Sequence, residues 1–375
     1  MKLKINEFLT REDANMLSLR HMYSHHGFVH YKMNKFEEYD LYVENKDFLA
    51  CDRIITFTDT DGKLMALKPD VTLSIIKNYK DIPGVVQKVY YNENVYRTSR
   101  NTKNYKEIMQ MGLECIGDLD IYNISEVLTL AVNSLKVLSE NYILDISHMG
   151  IVLGLMDAMK LTSREEKQML TLLQEKNCNG VESFCNSKNI DYELSETAQM
   201  IASMYGPVKD VLKKINDRAV GEKMINSVQE LKILLDTLDE DVLEHINMDF
   251  SIVNDMNYYN GFLFRGYIKE IPCGILSGGQ YDEIMGKMGT NAKAIGFGIN
   301  LELLEGQYDD MDEYDADILL LYDEKEDPKT VSQAVKSLVA DGNIVQVQKR
   351  IPPKQKYKKI IKLENGGFLE IESDN

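Results

Sequence analysis

The sequence predicts a fold of mixed helices and strands, with strands on either side of a helical block. Three observations predict it. Met248, Phe250 and Ile252 alternate with polar neighbours as a half-buried strand does. Beyond them the chain reads strand, turn, strand, glycine turn, helix, strand, through Asn260-Gly261, Gly278-Gly279 and residues 294–299. Met109, Met111 and Leu113 alternate with Gln110, Gly112 and Glu114, which describes another strand. Residues 161–246 instead follow a helical pattern with short breaks.

Composition bounds the class. At 375 residues, with 44% hydrophobic and 27% charged, the chain has room for two or three globular domains. The net charge is -17. Gripping a nucleic-acid backbone takes Lys and Arg, so this balance argues against a broad nucleic-acid footprint. The five cysteines (Cys51, Cys115, Cys178, Cys185, Cys273) are scattered and form no Cys-x-x-Cys pair. They indicate neither a zinc ribbon nor a disulfide framework. The start, Met1 to Glu7, lacks an apolar h-region, and no apolar run approaches the roughly 20 residues needed to span a bilayer. The expectation is a cytoplasmic protein.

Taken in order, Thr10-Arg11-Glu12-Asp13 reads as a helix start, followed by an apolar stripe of Met16, Leu19, Met22 and Tyr23 and a C′ glycine at Gly27. Residues 28–33 read as a strand. His21, His25, His26 and His30 crowd this stretch. His21 and His25 share a helix face, as metal ligands can, but imidazoles also suit the negative end of a helix. No metal is expected. Residues 64–67 read as a short strand, and Pro69 with Asp70 and Thr72 opens a helix. Residues 88–97 read as two strands around Asn92-Glu93-Asn94. In the following strand, Gln110 and Glu114 fall on one face. They are either buried polar groups that need partners or the exposed face of an antiparallel sheet.

Ser125 is a candidate cap for a helix over 126–138. Residues 144–148 are a strand ending in His148, for which a structural role is expected. In the helical block, Ser163-Arg164-Glu165-Glu166 reads as a capping-box start and Ser195 as a cap for a helix over 196–205. Further helices fall at 207–215 and 222–238. After Leu304 an acidic link, 306–315, leads to strand 316–322, a helix opening at Pro328 and ending before Gly342, and strands at 344–347, 357–363 and 368–371. Lys349, Arg350, Lys354, Lys356, Lys358, Lys359 and Lys362 make this end locally basic. Lysines also protect strand edges.

Several of these segments resemble the histidyl-tRNA synthetases, and more closely the paralogous family of ATP phosphoribosyltransferase regulatory subunits. The segment after strand 64–67, Lys68-Pro69-Asp70-Val71-Thr72, resembles a family segment that holds the α-amino group of histidine. Arg97 and the strand with Gln110 and Glu114 resemble the second class II signature. Tyr258-Tyr259-Asn260-Gly261, Phe264-Arg265-Gly266-Tyr267 and Ser277-Gly278-Gly279-Gln280-Tyr281-Asp282 resemble the histidine loop and third signature. The resemblance implies an α+β fold: a class II aminoacyl-tRNA synthetase-like antiparallel sheet flanked by helices over 1–305, a helical insertion at about 161–246, and a truncated anticodon-binding-like α/β module at 316–375.

The resemblance also implies a histidine cradle of Asp70, Thr72, Arg97, Gln110, Glu114, Tyr258 and Tyr259, with no cofactor. The departures matter more. Asn254 and Leu303 stand where a synthetase carries arginines against the reacting carboxylate and the ATP phosphates. Losing one such donor costs roughly 3–4 kcal/mol of transition-state stabilisation. The expectation is therefore a non-catalytic regulatory subunit. It would bind free histidine, form a homodimer within a hetero-oligomer, and activate the short catalytic subunit of ATP phosphoribosyltransferase, with tRNA binding unexpected. The alternative is a divergent synthetase-like enzyme that adenylates an amino acid. The blandest is a fold-only interaction protein with an empty pocket.

Overall fold

The structure is a computed structural model, and it describes residues 10–45, 54–98, 104–253, 259–304, 314–364 and 366–373. The chain divides into two compact units, Met1–Leu304 and Glu305–Asn375. In the first, the strands in chain order are β1 (Val29–His30), β2 (Phe36–Glu38), β3 (Thr56–Thr58), β4 (Leu64–Leu67), β5 (Val86–Thr98), β6 (Tyr105–Gly117), β7 (Tyr142–His148), β8 (Tyr205–Pro207), β9 (Ile246–Asp249), β10 (Phe262–Ile268), β11 (Leu276–Gln280) and β12 (Lys293–Asn300). Nine of them form one sheet in the order β1-β5-β6-β12-β11-β10-β7-β9-β8, antiparallel except where β1 meets β5 and β7 meets β9. A small sheet, β2-β4-β3, stands apart. The fold is α+β, a mostly antiparallel sheet flanked by helices.

One face of the large sheet is apolar and covered by helices. Helix Ile121–Leu138 buries Val127, Leu128, Leu130, Ala131 and Leu135 there. Gly266 lets it approach, because a Cβ at that position would stand 2.7 Å from Leu135. Helix Arg11–His25 adds Leu19 and Tyr23, and the Tyr23 hydroxyl is satisfied by Ser134 at 2.8 Å. Each such large apolar side chain contributes about 1.5–3 kcal/mol on burial. On the other side, helix Thr72–Lys77 packs Leu73, Ile75 and Ile76 into a cluster with Val89, Val95 and Tyr281. Among the described residues no helix is long and apolar enough to cross a membrane.

Thr10 and Asp13 make the reciprocal capping box their spacing predicts, and Gly27 takes φ +78° just past the helix. Elsewhere long-range pairing overrides local signals. Residues 88–97 do not break at Asn92-Glu93-Asn94, because β5 runs unbroken and pairs with β6 along its whole length. The predicted strand 28–33 shrinks to β1. Ser125 lies inside its helix, which Asp120 caps five residues earlier than predicted, in a box with Asn123. Ser195 is likewise internal to helix Tyr192–Ser203, which starts at Asp191, and Tyr205 joins β8. The box at the start of helix Ser163–Gln174 is closed by Thr162 and Glu165.

The strand predicted through Ile252 ends at Asp249 and turns into a 3-10 helix, Phe250–Ile252. Asn260-Gly261 does not join a hairpin. β9 pairs with β7 and β8, whereas β10 pairs with β7 and β11. Gly278 and Gly279 lie within β11 rather than in a turn, because both are paired to β10 on one side and β12 on the other.

The second unit holds β13 (Ala316–Leu321), helix Pro328–Ala340, β14 (Val345–Gln348), β15 (Tyr357–Glu364) and β16 (Gly367–Ser373), in the sheet order β14-β13-β15-β16. Ile318, Leu320, Ile361 and Leu363 form a buried cluster with Leu338 of the helix.

Candidate ligand-binding site

The face of the large sheet opposite helix Ile121–Leu138 carries polar groups beside the apolar cluster around Val89, and its register lines up the functional candidates. One cross-strand row runs Val89, Glu114, Gly296, Gly279, Leu263, Ser147. The next runs Tyr91, Gly112, Gly298, Ser277, Arg265, Asp145. A third brings Glu93, Gln110 and Asn300 together. Directly paired residues share a face, so these side chains look over one surface.

Glycine floors the centre of that surface. A Cβ at Gly296 would lie 1.8 Å from the Glu114 carboxyl, at Gly112 2.6 Å from the Tyr91 hydroxyl, and at Gly279 2.6 Å from the Tyr259 ring. Three large side chains therefore lie down on backbone that only glycine leaves bare.

Glu114 is the hub. It is 2% exposed, and its two oxygens accept from Thr72 Oγ1 at 2.7 Å and Tyr281 OH at 2.5 Å. Burial pushes its pKa up to about 8; the two hydroxyls pull against burial, and the charge of Asp70 works with it. Glu114 is thus a buried, partnered acid and not part of an exposed polar face.

Thr72 reaches Glu114 because Pro69 and Asp70 start its helix where β4 ends. The Asp70 carboxylate accepts from Leu73 N at 3.0 Å. Burial raises the Asp70 pKa, while the Leu73 hydrogen bond and then the Arg97 guanidinium oppose it. Arg97 Nε donates to the Pro69 carbonyl at 2.8 Å, tying β5 to that turn. Lys68 is fully buried and ion-paired to Glu93 at 2.9 Å. Desolvation lowers its pKa and Glu93 raises it.

The structure thus gathers Asp70, Thr72, Arg97, Glu114 and Tyr259. Gln110 sits on the same face, separated from Glu114 by Gly112 and the Tyr91 hydroxyl above it. Tyr258 and Asn254 lie outside the described residues. Leu303 is half-buried in the 3-10 turn Leu301–Leu304.

Sequence reasoning missed the roles of four members. Tyr281 was visible only as part of a glycine motif. Tyr91 needed the pairing of β5 with β6, which sets it over Gly112. The Lys68–Glu93 pair joins the residue after β4 to β5, which belongs to the other sheet. Together the groups offer acceptors (Asp70, Glu114), a cation (Arg97) and aromatic faces (Tyr91, Tyr259), a set suited to a small zwitterion with a ring.

Comparison with known proteins shows the family and the fold. The family model described as Histidyl-tRNA synthetase matches residues 6–304. A curated relative from Oceanobacillus iheyensis, an ATP phosphoribosyltransferase regulatory subunit, is 28% identical over 296 residues, covering 78% of this chain and 73% of its own. A Bacillus halodurans structure described as an ATP phosphoribosyltransferase regulatory subunit/histidyl-tRNA synthetase superposes with TM-score 0.76 at 22% identity, over 94% of this chain and 93% of that one. A chain of the ATP phosphoribosyl transferase complex from Thermotoga maritima gives TM-score 0.61 at 20% identity, over 78% and 98%. On the extent of the family match and the shared fold, the chain belongs to the histidyl-tRNA synthetase family.

Proposed function

We propose that the chain is a regulatory subunit of ATP phosphoribosyltransferase, the first step of histidine biosynthesis. In this reading it binds histidine for feedback control, activates a short catalytic subunit, and acts in the cytoplasm as a dimer within a hetero-oligomer. The curated relatives that carry this name over most of the chain support it.

The observation that carries the ligand is the buried Glu114 between Thr72 and Tyr281, with Asp70 and Arg97 beside it. Asp70 would meet the ammonium, Arg97 the carboxylate, and Glu114 the imidazole, with Tyr258, Tyr259 and Gln110 completing the cradle. Leu303 cannot hold a phosphate. With Asn254 also neutral, the chain would lack the charge that amino-acid activation needs. Feedback requires histidine to bind the inhibited assembly more tightly than the active one.

The test is co-purification with a short catalytic subunit, followed by assay with and without histidine. Phosphoribosyl transfer that rises on assembly and falls with histidine supports the reading. Robust ATP–pyrophosphate exchange by the isolated chain would instead establish the divergent-synthetase alternative. An assembly indifferent to histidine would remove the ligand from the proposal.

A further inference from the structure

The same face continues past the glycine floor to β7, where a second set of groups stands apart from Glu114. Ser147 lies in the Glu114 row and Asp145 in the next, two residues apart on one strand face. Four strand spacings of about 4.8 Å put Ser147 roughly 19 Å from Glu114 along the sheet. Asp145 is 5% exposed and Ser147 fully buried, yet Asp145 Oδ1 and Ser147 Oγ have no hydrogen-bond partner among the described residues. Buried polar atoms are rarely left so, because each forfeits the bonds it made in water.

The surrounding charges already cancel. Asp249 is paired to Lys176 at 2.8 Å, and Arg265 faces Asp145 in register. Tyr205 and Asn247, bonded to each other at 2.8 Å, stand at the outer side. A charged ligand would unbalance this set; a neutral one would not.

We propose that Asp145 and Ser147 form a second subsite, one that takes the vicinal hydroxyls of a sugar. A carboxylate oxygen only accepts, so its partner must donate. A serine hydroxyl both donates and accepts. Two adjacent sugar hydroxyls supply both partners without adding charge, and acidic side chains recur as partners of ribose hydroxyls. Burial first, and then Asp249, raise the Asp145 pKa to about 6, with Lys176, Tyr205 and Arg265 opposing, so the group is an acceptor at neutral pH. This subsite does not depend on histidine binding at Glu114.

The test is calorimetry on the full chain with adenosine, with 2′,3′-dideoxyadenosine, and with free ribose. Adenosine and ribose are expected to bind, and the dideoxy compound to bind at least tenfold more weakly than adenosine. Asp145→Asn and Ser147→Ala should each weaken adenosine tenfold or more. Ser147→Ala, the smaller change, keeps the test open if Asp145→Asn folds poorly. Equal binding of adenosine and its dideoxy analogue overturns the proposal. So does wild-type affinity in Ser147→Ala. Absence of binding by both adenosine and ribose overturns it too, and leaves Asp145 and Ser147 to buried water only.

Discussion

Replacing Glu114 by Gln tests the electrostatic core of the candidate site. Gln keeps the shape and can still bond Thr72 and Tyr281, but it does not titrate. Unfolded, Glu114 ionises near its ordinary value of 4.5; folded, burial raises this to about 8. Between those values the folded chain holds a proton that the unfolded chain has released, so raising the pH favours unfolding. The contribution is complete below the unfolded value, shrinks as pH rises, and levels off above the folded one. The total is at most about 5 kcal/mol, of which about 4 kcal/mol falls between pH 5 and 8. Urea unfolding of both proteins across that range isolates it, because every other titrating group is common to the two. The stability of Glu114→Gln relative to wild type should climb by up to that amount. Parallel curves would show that the carboxyl is ionised in the fold and that the hub has been misread.

Three further outcomes follow from packing and charge. Gly296→Ala would drive a methyl to 1.8 Å from the Glu114 carboxyl and 2.5 Å from the Leu113 carbonyl. The melting temperature should fall, with a loss of about 1–3 kcal/mol or more. Lys68→Met strands Glu93, whose side chain is 14% exposed, and should cost about 3–5 kcal/mol in urea unfolding. Adding Glu93→Gln should recover most of that, and failure to recover would mean that Lys68 acts through packing alone. Leu319→Ala, at a fully buried position in the second unit, should cost about 2–5 kcal/mol. Faster amide exchange confined to β13 and its neighbours would show that the loss is local to that unit.

Local chemistry was legible where it was self-contained. Thr10 with Asp13 caps its helix because both partners lie within one turn. Pro69 and Asp70 announce the helix that carries Thr72, since a fixed φ and a side-chain acceptor act on the nearest backbone. The alternation around Gln110 and Glu114 placed them on one face because strand period is a covalent property. Other local signals misled. Asn92-Glu93-Asn94 looks like a turn, but thirteen paired residues hold β5 straight. Ser125 and Ser195 look like caps, but Asp120 and Asp191, four or five residues earlier, cap those helices instead.

By itself the sequence determined which side chains were available for binding, Asp70, Thr72, Arg97, Glu114 and Tyr259 among them, and which cations were missing at 254 and 303. Only the tertiary structure decided how they meet. Strand order and register carry Tyr91 over Gly112, bring Tyr281 to Glu114 across 167 residues, and bury Asp145 and Ser147 far along the same face. The physical reason is that a pKa, an orphaned oxygen or a glycine floor depends on neighbours distant in the chain. Those neighbours are fixed by which strands pair, and pairing is set by the whole sheet rather than by any one segment.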